Sequence, residues 1–191
     1  MAGKEAWTEG RLRTRPAAAA GAGPVGLQPL ELGAAREGYL YVPPTYHAEH
    51  TAPLVVLLHG AGEDARDGLA LLRGQADGAG LILLAPSSRE YTWDVIASRR
   101  YGPDIAAIDR ALEWAFSPGF MAPAGQEGSP RVFVSHGTRD GWLPIDRCSR
   151  VIVPQLERAG YEVRYREFVG GHVVPPEIAH EAAGWFVAEQ G

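Results

Sequence analysis

The sequence predicts an α/β fold built on a mostly parallel, doubly wound sheet. Three short, predominantly apolar runs lead there: Leu54–Leu58, Leu81–Ala85 and Arg131–Ser135. They lack the polar–apolar alternation of a half-exposed strand and are too short for core helices, which suits parallel strands covered on both faces. Segments with helical spacing of apolar residues lie between and after them, so strand and helix alternate along the chain. A third observation concerns chemistry. His59-Gly60-Ala61-Gly62, His136-Gly137-Thr138-Arg139-Asp140 and Gly170-Gly171-His172 all fall where strands end, and sheets of this kind bind ligands beyond the carboxyl ends of their strands.

Taken in order, Trp7–Arg15 alternates loosely and predicts an edge strand. The Ala/Gly/Pro-rich stretch from Pro16 to Pro24 has little to bury and reads as a surface loop. Gly38–Val42, rich in aromatic and aliphatic residues and closed by Pro43-Pro44, predicts a strand. Leu54–Leu58 is expected to be central, with both faces buried. Its exit through His-Gly-Ala-Gly leaves backbone N–H groups uncovered, a natural anion site, although an ordinary strand-to-helix turn uses glycine for the same steric reason. Asp67–Gln75 carries Leu69, Leu71 and Leu72 at helical spacing, and Leu81–Ala85 is a strand stopped by Pro86. Asp104–Phe116 is a helix with Pro103 at its first turn. Ile145–Ala159 predicts a helix interrupted near Pro154 and capped by Gly160. Tyr161–Val169 alternates as a strand, and Pro176–Glu189 is a closing amphipathic helix.

The 191 residues suffice for one domain with a proper core, and the reading is a single domain over 1–191, with 1–36 as N-terminal edge strand and loop and 37–191 as core. A net charge of −5 gives no electrostatic reason to expect nucleic acid or an anionic membrane as partner. The single cysteine, Cys148, excludes an internal disulfide and fits a reducing compartment. No signal peptide and no membrane span are expected, and the protein reads as cytoplasmic. Six histidines are present, but no pair of them has zinc-ligand spacing, so neither metal nor cofactor is expected.

Three segments carry a resemblance: Leu54–Gly62, Val134–Asp140 with Pro144, and Gly170-Gly171-His172. In order and spacing they are similar to the α/β-hydrolase superfamily, in its carboxylesterase/phospholipase and dienelactone-hydrolase-like branch, from about Glu37 to the C-terminus. The resemblance implies that Asp140 orients the imidazole of His172, which serves as general base toward a serine and then as general acid toward the leaving alcohol. It also implies an oxyanion loop at Gly60 and Ala61, with Ala61 supplying an N–H. For Asp140 a purely local role in a Gly-Thr-Arg-Asp-Gly turn is the alternative, and for His172 a partly exposed loop position after a Gly-Gly turn. Trp93 and Trp142 are candidates to line an acyl pocket, and either serves equally well as a core aromatic. The implied ligand is a small ester or acyl compound.

The departure concerns the nucleophile. The family places its serine in a Gly-x-Ser-x-Gly elbow. None of Ser87, Ser88, Ser98, Ser117, Ser129, Ser135 and Ser149 has glycine two positions before it. The helix ending at Phe116 resembles the one that precedes the elbow strand, and Ser117–Phe120 resembles the loop after the following strand. A strand–helix–strand unit of at least ~30 residues is therefore expected to be missing at the Phe116/Ser117 junction. The sheet is then shortened, with Arg131–Ser135 expected directly beside Leu54–Leu58. Exposed flanks of such a sheet favour oligomerisation or strand exchange. As written, the chain lacks acyl-serine chemistry. It reads as an inactive or nearly inactive esterase relative, with a non-catalytic ligand-binding domain, or a deleted form of an active esterase, as the alternatives.

Overall fold

The computed structural model describes residues 23–32, 35–47, 50, 52–116, 131–158 and 160–188. The expected strand at Trp7–Arg15 and the residues after Phe116 at the junction lie outside them. The chain divides into two compact units, Met1–Ala124 and Gly125–Gly191.

The first unit holds a four-stranded sheet of β1 (Gly26–Pro29), β2 (Tyr39–Val42), β3 (Leu54–Val56) and β4 (Ile82–Ala85), in the order β1-β2-β4-β3. β1 and β4 both run antiparallel to β2, and β3 runs parallel to β4 with Val55 opposite Leu83. Period-two alternation sorts the side chains between two faces. Leu40, Val42, Ile82 and Leu84 meet Ile108, Ala111 and Leu112 of helix α4 (Pro103–Phe116) in one apolar cluster. Burying each such leucine or isoleucine stabilises the fold by about 1.5–3 kcal/mol. Tyr39 and Tyr41 point the other way, under Arg66 of helix α1 (Ala65–Ala70) and Arg73 of helix α2 (Arg73–Ala79), 4.5 and 3.6 Å from the ring centres. A short helix, α3 (Asp94–Ser98), completes the unit.

Several expectations change here. β1 forms just after the expected Pro16–Pro24 loop, where no strand is expected, because Gly26–Pro29 pairs residue for residue with Tyr39–Val42. The single helix expected over Asp67–Gln75 is two. It starts earlier because Asp64 and Asp67 form a reciprocal capping box, Asp64 accepting from the Arg66 amide and Asp67 from the Asp64 amide. It breaks where Leu71 and Leu72 donate only three residues back, to Gly68 and Leu69, a tightening that buries Leu72 and leaves Leu71 outside. Leu54–Leu58 is not a central strand buried on both faces. Among the described residues only β4 pairs with β3, residues Leu54–Val56 are half-buried, and Leu58 is exposed. A strand with one ladder neighbour lacks the cover that a second would bring.

The second unit is a two-stranded parallel ladder, β5 (Val132–Gly137) beside β6 (Val163–Phe168), with a helix on each face. Val134 and His136 share a face with Tyr165 and Glu167. Helix α5 (Ser149–Arg158) brings Ser149 and Arg150 to that face after a 3-10 turn at Ile145–Arg147. Phe133, Arg164 and Arg166 share the other face. There Trp185 of helix α6 (Pro176–Val187) sits 5.9 Å from Phe133, and Glu181 receives both arginines. Pro154 lies inside α5, and Gly160 follows it at φ +86, the left-handed ending expected from the sequence. β5 pairs with β6 only, so the expected ladder between Arg131–Ser135 and Leu54–Leu58 does not form among the described residues.

Candidate functional site

In the first unit, the candidate oxyanion loop leaves β3 through His59. The His59 side chain is buried rather than presented to a ligand. Its Nε2 accepts the Ser88 amide at 3.0 Å and its Nδ1 donates to the Gly60 carbonyl at 2.7 Å, a pairing that fits the neutral Nδ1–H tautomer. Trp93 packs on this ring with centroids 4.8 Å apart and donates its indole N–H to the His59 carbonyl at 2.9 Å. At 8% exposure Trp93 belongs to the core cluster and braces the loop from beneath. The Gly62 amide donates to the Tyr91 carbonyl at 2.8 Å, and Gly62 itself adopts φ +80, where glycine is the residue without a Cβ penalty.

The two expected amide donors differ. The Gly60 N–H already donates to the Glu63 carboxylate at 2.8 Å. The Ala61 N–H has no hydrogen-bond partner among the described residues, and Ala61 is exposed. Around the loop, the Arg36 guanidinium donates to the carbonyls of Ser88, Glu90 and Glu63, tying together the chain ends that follow β3 and β4. Asp104, 2% exposed, accepts the amides of Arg89 and Asp94, while Asp94 accepts the amide of Asp104. Arg36 and Asp104 carry no motif, so the sequence gives no sign of this brace.

In the second unit the structure brings Asp140 and His172 together. Asp140 Oδ2 accepts from His172 Nδ1 at 2.8 Å, and Oδ1 accepts the amides of Trp142 and Leu143, each at 2.9 Å. The Leu143 amide, the His172 bond and the Trp142 amide together hold the Asp140 carboxyl down at about 2, against the rise that burial alone would cause. The carboxylate is therefore ionised and aimed at Nδ1. His172 is 53% exposed at its side chain, and its Nε2 meets no hydrogen-bond partner among the described residues.

Local sequence explains the meeting. β5 and β6 run parallel and end side by side. The loops that follow are joined by bonds from Thr138 N–H to the Phe168 carbonyl and from Arg139 N–H to the Gly170 carbonyl, at 2.8 and 2.9 Å. Gly137 lets them approach: a Cβ there would lie 2.2 Å from the Gly171 carbonyl oxygen. Trp142, the other candidate pocket residue, gives its backbone to Asp140 while its side chain stands 84% exposed.

Behind the dyad lies a polar chain that motif reading missed. His136 Nε2 is 2.7 Å from the Leu143 carbonyl and 3.4 Å from Asp140 Oδ2, and its Nδ1 is 2.5 Å from Ser149 Oγ. Tyr165 hydroxyl links Ser149 to Glu167, which Arg150 grips with two bonds. Ser149, His136 and Asp140 thus stand in serine–histidine–aspartate order, but Ser149 is 3% exposed and out of reach of any substrate. The period-two placement of Val134/His136 against Tyr165/Glu167 is the signal in the sequence that would have found this chain. No group of three metal-ligating side chains is placed to hold an ion among the described residues.

No family model matches the chain, and no curated protein matches it. Its fold does match solved structures. The crystal structure of esterase PE8 superposes over 76% of this chain and 97% of its own, with TM-score 0.59 and 19% identity. A thermostable esterase gives 0.54 and 17% over 78% of this chain, covering 54% of that longer one. TT1662 from Thermus thermophilus gives 0.53 and 19% over 88% of this chain and all of its own, 100%. At these identities the likeness is one of fold. The chain has the α/β-hydrolase-type fold of these esterases, as the sequence resemblance implies.

Proposed function

We propose that this chain is an esterase-type protein of the carboxylesterase/phospholipase and dienelactone-hydrolase-like branch in which His172, oriented by Asp140, is the general base. No acyl-serine forms on it, and hydrolysis of small carboxylic esters or thioesters proceeds slowly through water activated at His172. The observation that carries the reading is the 2.8 Å bond from His172 Nδ1 to an ionised Asp140, with Nε2 left open. In the step, Nε2 takes a proton from water as the water oxygen bonds to the carbonyl carbon, and the carbonyl electron pair moves onto its oxygen. That pair returns as the bond to the leaving group breaks, and the departing alcohol or thiol takes the proton from His172. The oxyanion role of the Ala61 N–H is what the family resemblance implies. The absence of acyl-serine chemistry is supported by the lack of a glycine-flanked elbow, and no serine hydroxyl bonds His172 among the described residues.

A fluorophosphonate probe and a p-nitrophenyl acyl ester test this together. The expected result is no serine labelling, with slow turnover that disappears in His172→Ala. Labelling of any serine overturns the water mechanism, and turnover indifferent to His172→Ala overturns the base. A second reading, ligand binding without turnover, is favoured by the Glu63 carboxylate on the Gly60 N–H, where a developing oxyanion would meet a negative charge. Under that reading the ester binds and neither probe reports chemistry.

A further inference from the structure

We propose that His136 is a positioning residue for the dyad: clamped between Ser149 and the Leu143 carbonyl, it holds the Asp140 loop in the geometry that orients His172. The proposal rests on the reading of His172 as base and adds to it a residue with no contact to substrate.

The argument begins with the loop from Gly137 to Leu143. Asp140 Oδ1 is fixed from within, by the Trp142 and Leu143 amides. Those bonds order the turn on itself but do not anchor it to the ladder. The Thr138–Phe168 and Arg139–Gly170 bonds tie the first residues of the loop to β6 and its exit, and His136 supplies the anchor at the far end, on Leu143. It sits in β5 opposite Glu167 of β6, so its backbone is fixed, and its ring reaches forward to the loop. Nε2 faces two acceptors, the Leu143 carbonyl at 2.7 Å and Asp140 Oδ2 at 3.4 Å, so Nε2 carries the hydrogen. Nδ1 at 2.5 Å from Ser149 Oγ then fixes the ring plane from the α5 side.

The groups facing His136 come from each neighbouring element. Its own loop brings Asp140, to which His172 is also bonded. β6 brings Tyr165 and Glu167, and α5 brings Ser149 and Arg150, with Asp146 on the far side of Arg150. Arg150 bonds hold the Glu167 carboxyl at about 2, so Glu167 is an acceptor and takes the Tyr165 hydroxyl hydrogen. The Tyr165 oxygen remains beside Ser149, whose hydroxyl turns to donate to His136 Nδ1. The Ser149 hydrogen then has His136 Nδ1 as its acceptor, the Nε2 hydrogen has the Leu143 carbonyl, and the ring is held in one orientation. A phenylalanine fills the volume and supplies none of these bonds.

Carbon- and nitrogen-resolved NMR of the whole chain tests this. Two signals are followed: titration of the Asp140 carboxyl carbon, and the downfield proton of His172 Nδ1–H. In His136→Phe the Asp140 midpoint is expected to rise from about 2 toward the ordinary carboxylate value of ~3.9, and the Nδ1–H line to broaden away. The amide of Gln occupies the Nε2 position and that of Asn the Nδ1 position. His136→Gln should therefore keep both signals and His136→Asn should lose them, a contrast that loss of bulk packing does not produce. Wild-type signals in the Phe and Asn variants, or equal behaviour of Asn and Gln, overturn the proposal. So does failure of all three variants to fold, which assigns His136 a purely structural part. If both signals respond as expected while His172→Ala leaves ester turnover unchanged, the functional reading fails and the positioning role stands.

Discussion

Gly137 lies so close to Gly171 that an added Cβ would come within 2.2 Å of the Gly171 carbonyl oxygen and 2.4 Å of the Gly170 carbonyl oxygen. This approach joins the loop that carries the acid to the loop that carries the base. The neighbouring Thr138–Phe168 and Arg139–Gly170 backbone bonds hold it closed. The Asp140–His172 bond is a consequence of a missing side chain three residues before the acid.

Gly137→Ala is therefore expected to cost at least about 2 kcal/mol and to part the two loops, because the obstacle is backbone and has no rotamer to yield. Urea unfolding of the variant, with loss of the His172 Nδ1–H signal, checks both effects. A variant of wild-type stability with that signal intact refutes the close approach.

Acid stability follows from two carboxylates. Asp140 and Glu167 titrate at about 2 in the folded protein, below their ordinary 3.8 and 4.5. Folding thus favours their ionised forms. The stability they contribute is fully present above the ordinary values and is lost as pH falls from about 4.5 toward 2. Asp140→Asn and Glu167→Gln should each flatten the dependence of unfolding free energy on pH within that window and leave the slope above pH 5 as it was. Denaturant titrations at stepped pH measure it.

Glu63→Ala removes the carboxylate that holds the Gly60 N–H. Since a single well-placed oxyanion donor is worth roughly 100-fold or more in rate, exposing this one is expected to raise ester turnover by about tenfold if the loop serves an oxyanion. Unchanged turnover with p-nitrophenyl esters rules out Gly60 as an oxyanion donor.

Trp93→Phe deletes the indole N–H that satisfies the buried His59 carbonyl and is expected to destabilise the protein by about 1–3 kcal/mol. Thermal unfolding reads the loss. A variant as stable as the parent shows that Trp93 is not the brace of the His59 loop.

Much of this architecture is legible in the chain. Leu81–Ala85 reads as a strand and becomes fully buried β4, and Asp104–Phe116 reads as a helix and becomes α4. The Gly160 stop is equally local. Asp140 and His172 are visible as polar residues at strand ends. Less legible are features that depend on a neighbour. β1 is a strand because Tyr39–Val42 pairs with it, and no residue of Gly26–Pro29 says so. Leu54–Leu58 has the composition of a central strand, yet composition does not count ladder partners, and β3 has one among the described residues. Trp93 is compatible with a pocket or a core in sequence, and its bond to the His59 carbonyl places it in the core.

The alternation of strands and helices, the glycine turns after them, and the candidate acid and base are written in the chain itself, because periodicity, capping and turn chemistry act over a few residues. The tertiary structure decided that Asp140 meets His172 at 2.8 Å, that His136 and Ser149 stand behind them, and that Glu63 covers Gly60. Except for Glu63 and Gly60, three residues apart, these contacts join side chains far apart in the chain, and only the register of β5 with β6 and the packing of α5 on one face bring them within hydrogen-bond range.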